Sequence, residues 1–285
     1  MIQDIAPHRL DNRYLPDAEA GSDSLLFIVD RETGEILVSL GEGTFAFPEA
    51  GQIRCDRENL IFLFLLDGRP VFLAGDIDRE TVPAPFVWRN LRSLRKQGFG
   101  PQYMMFAGFT AKQLYDWYAD NRFCGRCAQR MIHSGKERAL VCPACHKTVY
   151  PRLNPAVIVA VTDPDRQRIV VTKYAGREIA YFALIAGFTE IGETLEETVQ
   201  REVMEEVGLK VKNIRYYKSQ PWAMADDILM GFFCEVDGDI SITMDANELK
   251  EAIWVTRDEM VLQPDAYSLT NEMMTVFKEG KEFCF

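Results

Sequence analysis

Short hydrophobic runs separated by polar turns dominate the first part of the chain. The segments SLLFIVD, EILVSL, NLIFLFLLDG and RPVFLAG are bounded by Gly, Pro, Asp and Asn, as is typical of strands joined by turns. Two later segments, VWRNLRSLRKQ and AKQLYDWYADN, repeat their apolar residues with helical spacing. The pattern predicts an N-terminal α+β domain over residues 1–118.

Strands and helices alternate in the last part of the chain. The segments PAVIVAVTD, RIVVTKY and FALIAGF read as strands before a helix, and IRYYKSQPW, DILMGFFCEV and EAIWV read as strands after it. Further helices are predicted between DILMGFFCEV and EAIWV and at the end of the chain. This alternation predicts a layered α/β domain over residues 154–285.

The helix predicted after FALIAGF is densely acidic. Its segment, GFTEIGETLEETVQREVMEEVGL (residues 187–209), contains seven glutamates and one arginine. Thr194 and Glu197 have the spacing of a capping box, and Gly208 suits a helix end. With about 100° per residue, Glu202 and Glu206 lie beside an apolar stripe, and Glu205 lies farther round. The stripe consists of Leu195, Val199, Val203 and Val207.

This charge pattern has two interpretations. Carboxylates three and four residues apart repel one another unless cations lie among them, and hard oxygen ligands favour Mg²⁺ or Mn²⁺. The alternative is a solvated acidic helix, in which Glu196 and Glu197 only complement the helix dipole.

Four of the seven cysteines form two pairs, CGRC and CPAC, with fourteen residues between them. This spacing predicts a zinc ribbon over residues 119–153, with the ion held by Cys124, Cys127, Cys142 and Cys145. Four sulfur ligands leave no open coordination position, so the zinc is expected to be structural. His146 is expected to be exposed rather than a competing ligand. Reduced thiols with packing roles are predicted for Cys55, Cys234 and Cys284.

The net charge of −11 argues against broad electrostatic binding to nucleic acid or to an anionic membrane. The chain has no run of eighteen apolar residues, and its N-terminus lacks the order of a secretion signal, so we expect a soluble, cytoplasmic protein without a membrane partner. Residues 122–152 differ from the rest, with seven basic residues and one acid. This segment is either a solvated surface or a face that receives phosphates or an RNA tail.

The acidic segment resembles the Nudix box at every fixed position, from Gly187 and Glu193 through Arg201-Glu202-Val203, Glu205-Glu206 and Gly208-Leu209. Nudix hydrolases split a diphosphate linked to a nucleoside. The resemblance implies an α/β/α sandwich with a mixed sheet and a catalytic set that includes Glu193. It further implies that Mg²⁺ or Mn²⁺ is bound by Glu202, Glu205, Glu206 and the carbonyl of Ala186. Glu206 is the simplest general base. Arg201, flanked at four residues by Glu197 and Glu205, is expected to orient carboxylates.

The zinc ribbon before the box and SQPW (residues 219–222) after it are similar to the NADH pyrophosphatase family over nearly the whole chain. Members hydrolyse NADH or NAD⁺ to nicotinamide mononucleotide and AMP, are typically homodimers, and in some cases remove NAD caps from RNA. The resemblance implies a further cation ligand at Glu248, with Glu251 as a neighbouring alternative. It also implies substrate contacts at Arg92, Glu137, Tyr150, Gln220, Pro221, Trp222 and Thr270.

One departure concerns specificity. The family continues SQPW with Pro-Phe-Pro, whereas this chain continues with Ala-Met-Ala-Asp-Asp (residues 223–227), which removes a ring and adds two acids. Trp222, Phe188 or Tyr181 could stack on a base instead, with core packing as the alternative. Hydrolysis of NAD(H) is therefore the first hypothesis. The others are hydrolysis of another diphosphate, such as ADP-ribose or another dinucleotide, and a non-catalytic nucleotide sensor or RNA-binding module.

Overall fold

The computed structural model describes residues 1–75, 77–176 and 181–282. The chain divides into two compact units: Ile2–Arg152 forms one, and Leu153–Phe285 together with Met1 forms the other. Cys284, predicted to be an ordinary thiol, lies outside the described residues.

In its described residues, the unit formed by Ile2–Arg152 contains short strands, two α-helices and a short 3-10 helix at Arg79–Thr81. Its strands are β1 Leu10–Asp11, β2 Leu25–Phe27, β3 Ile36–Leu40, β4 Phe45–Ala46, β5 Ile61–Leu66, β6 Arg69–Leu73, β7 Phe86–Arg89, β8 Ile132–His133, β9 Leu140–Val141 and β10 Thr148–Val149. The helices are α1 Leu91–Lys96 and α2 Gln102–Asp120. Three sheets form, with the orders β1-β5-β6-β2, β4-β3-β7 and β10-β9-β8.

The four strand segments and both helix segments predicted in this unit are present, with shifted ends. The start of VWRNLRSLRKQ pairs with β3 as part of β7, and α1 begins only after Asn90, whose side chain accepts a hydrogen bond from the N–H of Ser93. Helix α2 is longer than predicted because its buried face extends through Met104, Met105 and Phe109. Pairing partners that are distant in sequence thus decide where these elements end.

The second unit is a sheet between two helices. Its strands are β11 Asn154–Thr162, β12 Arg168–Tyr174, β13 Ile185–Phe188, β14 Val211–Trp222, β15 Asp227–Val236 and β16 Leu249–Thr256. Its helices are α3 Leu195–Val207 and α4 Leu269–Lys278. The sheet order is β14-β15-β11-β12-β16, and β13 also pairs with β11. Because β11 is parallel to β15 but antiparallel to β12 and β13, the sheet is mixed, as expected.

The central strand β11 shows how the sheet and the two helices form three layers, because its side chains alternate between the two helices. Its alternate valines (Val157, Val159, Val161) pack with the stripe of α3, and the intervening Ala156, Ile158 and Ala160 pack with α4. Each fully buried aliphatic side chain contributes about 1.5–3 kcal/mol. The predicted α/β/α sandwich is therefore confirmed, with α3 placed by the apolar stripe beside its glutamates.

The helix predicted before EAIWV is wrong. Residues 237–248 form an extended connection with turns, in which Ile240, Ile242 and Met244 pack on the core beside α3. These apolar residues repeat every second position, which is the period of an extended chain rather than of a helix. The indole N–H of Trp254 donates to the carbonyl of Ile240 at 2.9 Å and attaches this segment to β16.

Candidate active site

Helix α3 begins and ends where the sequence predicts. The Thr194 hydroxyl oxygen accepts a hydrogen bond from the N–H of Glu197 at 3.2 Å, and the Glu197 carboxylate accepts one from the N–H of Thr194 at 2.7 Å. Gly208 closes the helix in the left-handed conformation, with φ 71°. The Glu197 carboxylate, four residues before Arg201, therefore belongs to the helix cap.

Arg201 is the centre of an ion-pair network. Its Nε and Nη2 donate to the two carboxylate oxygens of Glu193 at 2.6 and 2.9 Å, and its Nη1 donates to Glu202 at 2.7 Å and to Glu205 at 2.9 Å. Nη2 also donates to the carbonyl of Phe188 at 2.9 Å. The guanidinium therefore orients two predicted cation ligands and joins α3 to the end of β13. The forked geometry of arginine makes this possible.

Glu193 supports this network by binding Arg201. The hydrogen bond from Arg201, followed by one from the N–H of Glu190, lowers the pKa of Glu193 to about 2. The Thr198 hydroxyl donates to the same carboxylate at 3.0 Å. The pKa of Arg201 is raised, chiefly by Glu193. Both groups are thus charged across the physiological range. The geometry places Glu193 as a partner of Arg201, a role that its sequence spacing did not reveal.

Glu202 lies against the backbone of Gly187. A Cβ atom added at Gly187 would lie 2.0 Å from the carboxyl carbon of Glu202, so only glycine leaves room for this side chain. Burial raises the pKa of Glu202, Arg201 opposes this shift, and the charges of Glu205 and Glu248 add to it. A carboxylate in this position is held among like charges, which a cation would stabilise.

The other predicted ligands lie on elements next to Glu202. Glu206 is 1% exposed on α3, and its backbone carbonyl accepts the N–H of Asp245 at 3.0 Å. Glu248 directly precedes β16, and Ala186 is in β13 beside Gly187. Glu251, the alternative to Glu248, forms an ion pair with Lys173 at 2.7 Å.

These oxygen donors fit a hard divalent cation that keeps water or phosphate oxygens in its shell. In the described residues, the four cysteines are the one group of His, Cys, Asp or Glu side chains placed closely enough to hold a metal ion by themselves, with their ligand atoms all within 4.8 Å of one another. The carboxylates of the acidic helix do not form such a group by themselves. A cation bound among them would complete its coordination with other ligands.

The four cysteines form a closed site. The sulfur atoms of Cys124 and Cys145 are 3.6 Å apart, and those of Cys127 and Cys142 are 3.5 Å apart. Tetrahedral zinc with Zn–S bonds of about 2.3 Å requires sulfurs roughly 3.8 Å apart, so the arrangement fits zinc. The backbone N–H of Arg126 bonds to Cys124 Sγ and is the main cause that lowers the pKa of this thiol to about 6.

Two similar turns build the zinc site. Ala128 and His146 follow the last cysteine of each pair, both with φ 59°, and their N–H groups donate to the carbonyls of Cys124 and Cys142. His146 is exposed and is not a member of the cluster, as expected. The structural zinc site is therefore confirmed.

The predicted substrate contacts fall into two groups. Arg92, Glu137 and Tyr150 belong to the unit formed by Ile2–Arg152, where the Tyr150 hydroxyl donates to Glu137 at 3.0 Å and both side chains are exposed. Phe188, in the other unit, is 54% exposed, so it is not a core residue. Tyr181 is half-buried, and Trp222 packs partly against the core beside α4. All these contacts stay predictions.

Gln220 has a structural environment that sequence reasoning missed. Its side chain is fully buried, its amide N–H donates to the carbonyl of Tyr267, and its amide oxygen accepts the N–H of Leu269, both at 2.7 Å. The residue therefore attaches the end of β14 to the start of α4, which carries Thr270. No local pattern could indicate these partners, because they lie more than forty residues away.

The segment after SQPW that differs from the family pattern forms the turn of a tight hairpin. Pro221 and Trp222 end β14, Trp222 pairs with Asp227 at the start of β15, and residues 223–226 form the turn. Asp226 adopts φ 59°, which aspartate tolerates in turns. Asp227 is buried, so only one of the two added acids has an accessible side chain.

Comparisons with known proteins agree with this geometry. A NUDIX domain matches residues 152–276, an NADH pyrophosphatase zinc ribbon domain matches residues 119–150, and an NADH pyrophosphatase-like rudimentary NUDIX domain matches residues 26–117. A protein named NAD-capped RNA hydrolase NudC from Citrobacter koseri is 40% identical over 79% of this chain and 83% of its own length. The Enterobacter protein of the same name is 42% identical over 53% of this chain and 58% of its own length.

Among solved structures, a NUDIX hydrolase from Nitrosomonas europaea matches 55% of this chain and 91% of its own, with 21% identity and a TM-score of 0.47. Within the described residues, no helix has the length and apolar character needed to cross a membrane. The relative that matches along most of its length, together with the three domain matches and the intact box, shows that the chain belongs to the NADH pyrophosphatase family of Nudix hydrolases.

Proposed function

We propose that this protein hydrolyses the diphosphate bond of NAD(H) to nicotinamide mononucleotide and AMP, and that it also removes NAD caps from RNA. The observation that carries the proposal is the Glu202 carboxylate, which lies against Gly187 and is held by Arg201 within an intact Nudix box. The domain matches support the NAD(H) substrate, and the names of the NudC relatives support the RNA substrate.

The catalytic cation would be Mg²⁺ or Mn²⁺. It would be held by Glu202, Glu205, Glu206, Glu248 and the carbonyl of Ala186. When bound, it would neutralise charge on the diphosphate and increase the acidity of water.

The side chains of α3 carry out the proton transfer in this proposal. Water attacks one phosphorus, and a carboxylate oxygen of Glu206 accepts its proton as the new P–O bond forms and the bridging P–O bond breaks. Arg201 keeps Glu202 and Glu205 oriented throughout, and Glu193 holds Arg201. The buried position of Glu206 excludes bulk water, which strengthens its interactions with charge nearby.

The exposed ring of Phe188 is suited to stack on a base, and its backbone carbonyl accepts a hydrogen bond from Arg201, which also pairs with the carboxylates. The remaining substrate contacts are proposed at Arg92, Glu137, Tyr150, Gln220, Pro221, Trp222 and Thr270. For Gln220 the buried environment favours an indirect contribution through the start of α4.

The proposal includes three domains, over residues 1–118, 119–153 and 154–285, and a cytoplasmic homodimer. Phe123 and Ile132 of the ribbon are 59% and 52% exposed, and large apolar side chains of this kind are common in subunit interfaces. Cysteines that bind zinc rather than forming disulfides are typical of the reducing conditions of the cytoplasm. Light scattering coupled to size-exclusion chromatography tests the dimer.

A panel of substrates tests the activity. NADH, NAD⁺, ADP-ribose and an NAD-capped RNA would be hydrolysed with Mg²⁺ and with Mn²⁺, and the products separated by chromatography. We expect NADH or NAD⁺ to give AMP and the mononucleotide with the highest kcat/KM. The hairpin at residues 223–226 favours a second candidate, hydrolysis of another diphosphate, and a faster rate with ADP-ribose would select it. If the protein binds one of these substrates but hydrolyses none of them, the result would support a non-catalytic sensor.

A further inference from the structure

Tyr174, the last residue of β12, has its side chain on the α3 side of the sheet. Val170 and Tyr174 pack with the core that contains the stripe of α3, whereas Ile169 and Val171 pack with α4. This alternation follows from the two-residue period of a strand. Tyr174 therefore lies on the side of the sheet that faces the glutamates of the box.

The pairing between β12 and β16 is irregular at this residue. Lys173 pairs with Glu251, but Tyr174 pairs with Leu249, so Lys250 is an extra residue in β16. Bulges of this kind redirect neighbouring side chains and are frequent beside active sites. The next residue, Ala175, donates its N–H to the carbonyl of Glu248 at 2.8 Å. The chain around Tyr174 is thus attached to one proposed cation ligand.

The hydroxyl of Tyr174 reaches another proposed ligand. It lies 3.3 Å from the carbonyl oxygen of Leu184 and 3.5 Å from that of Ala186. A phenol has one proton and shares it between two such acceptors. A tyrosine whose ring only packs in the core needs one hydrogen-bond partner for its hydroxyl, so packing alone does not explain the second acceptor. The contact with Ala186 is the feature that relates this hydroxyl to the cation site.

We propose that Tyr174 is a positioning residue of the catalytic cation site. Its hydroxyl holds the segment from Leu184 to Ala186, and the N–H of the next residue holds the backbone of Glu248, so that two ligands from separate elements keep a constant spacing. The inference rests on the proposed function, because Ala186 and Glu248 are cation ligands only there. Groups that orient metal ligands typically change metal affinity about 10–100-fold when they are removed.

Tyr174→Phe in the full chain tests this role, because it keeps the ring and removes only the hydroxyl. Titration with Mn²⁺, with free ion measured by electron paramagnetic resonance, is expected to show a dissociation constant about tenfold higher than in the wild type. The Tm is expected to change little. At saturating Mn²⁺, kcat is expected to return toward the wild-type value.

The matched control is Tyr217→Phe. The Tyr217 hydroxyl donates to Glu272 at 2.8 Å, and its ring packs with the core beside α4. This variant also loses the hydrogen bonds of a phenol hydroxyl, but its affinity for Mn²⁺ is expected to stay at the wild-type value. An unchanged Mn²⁺ affinity in Tyr174→Phe, or an equal loss in both variants, would overturn the inference.

Glu202→Gln separates this inference from the function on which it rests. If this variant binds Mn²⁺ as the wild type does, the proposed cation site is wrong. If it loses Mn²⁺ binding while Tyr174→Phe binds normally, the site stands and only the role of Tyr174 is wrong.

Discussion

The two metal-binding regions of this molecule are built in opposite ways. The zinc ribbon brings four sulfurs within 4.8 Å of one another, and backbone N–H groups bond to the sulfurs of Cys124 and Cys142. In the described residues, the carboxylates of the acidic helix do not form such a close group by themselves, and Arg201 pairs with two of them, Glu202 and Glu205. A closed set of ligands uses its metal to hold a fold, whereas a spread set leaves coordination positions for substrate and water. Loss of the first site should therefore affect structure, and loss of the second should affect chemistry.

The largest effect is expected from removal of zinc. Cys142→Ala deletes a fully buried ligand, and structural zinc contributes about 10 kcal/mol or more to the folding of small zinc domains. Metal analysis should show loss of the zinc, and hydrogen exchange should show loss of protection in residues 122–149. Cys55→Ser is the control, because Cys55 lies outside the cluster. If the ribbon stays protected from hydrogen exchange after the zinc is lost, the zinc does not hold its fold, and the contrast between the two metal-binding regions is wrong.

Glu206→Gln should have the converse effect, in which chemistry is lost and the fold is kept. The amide cannot accept the proton from water, so kcat should fall about 10³-fold. The Tm should stay close to the wild-type value, since the amide has nearly the same shape. Glu196→Gln, at an exposed glutamate in the first turn of the same helix, should retain full activity. Retained turnover in Glu206→Gln would remove Glu206 from the mechanism.

Gly187→Ala sharpens the comparison, because it changes the shape of the acidic site and none of its charges. The new Cβ would lie 2.0 Å from the Glu202 carboxyl carbon, so the carboxylate would have to move. We expect kcat/KM to fall about 100-fold, as for other misplacements of a catalytic group. Gly135→Ala is the matched control, since a Cβ there has no atom within 4 Å. Equal activities of Gly187→Ala and Gly135→Ala would show that the Glu202 carboxylate can move without loss of activity.

Sequence reasoning succeeded where the signal is local. The capping box of α3, its apolar stripe and the two cysteine pairs each depend on residues a few positions apart, and all are present. It failed where the interacting residue is distant in sequence, or where a nearby group competes for the same side chain. Glu197 has the right spacing for Arg201 but bonds to Thr194, and Glu193 takes its place.

The same reason accounts for the wrong helix at residues 237–248 and for the burial of Gln220. In both cases the decisive partners come from other elements: Trp254 in the first and the start of α4 in the second. Helix propensity and motif spacing carry no information about such contacts.

The smallest effect, and the most specific to the acidic site, is expected from Glu193→Gln. This change weakens the support of Arg201, so kcat should fall about tenfold, as for other groups that orient catalytic residues. Stability should also depend on pH. The folded pKa of Glu193, about 2, is below the ordinary value of 4.5, so the carboxylate stabilises the fold above pH 4.5 and loses this effect as the pH falls toward 2.

Thermal unfolding of the wild type and of Glu193→Gln should therefore differ most above about pH 5 and converge as the pH falls toward 2. Glu196→Gln is again the control, and its Tm should follow that of the wild type at every pH. A constant difference between wild type and Glu193→Gln down to pH 2 would mean that the ion pair with Arg201 does not stabilise this helix. The carboxylates would then depend on the bound cation alone for their arrangement, and the acidic site would resemble the zinc ribbon more than the geometry indicates.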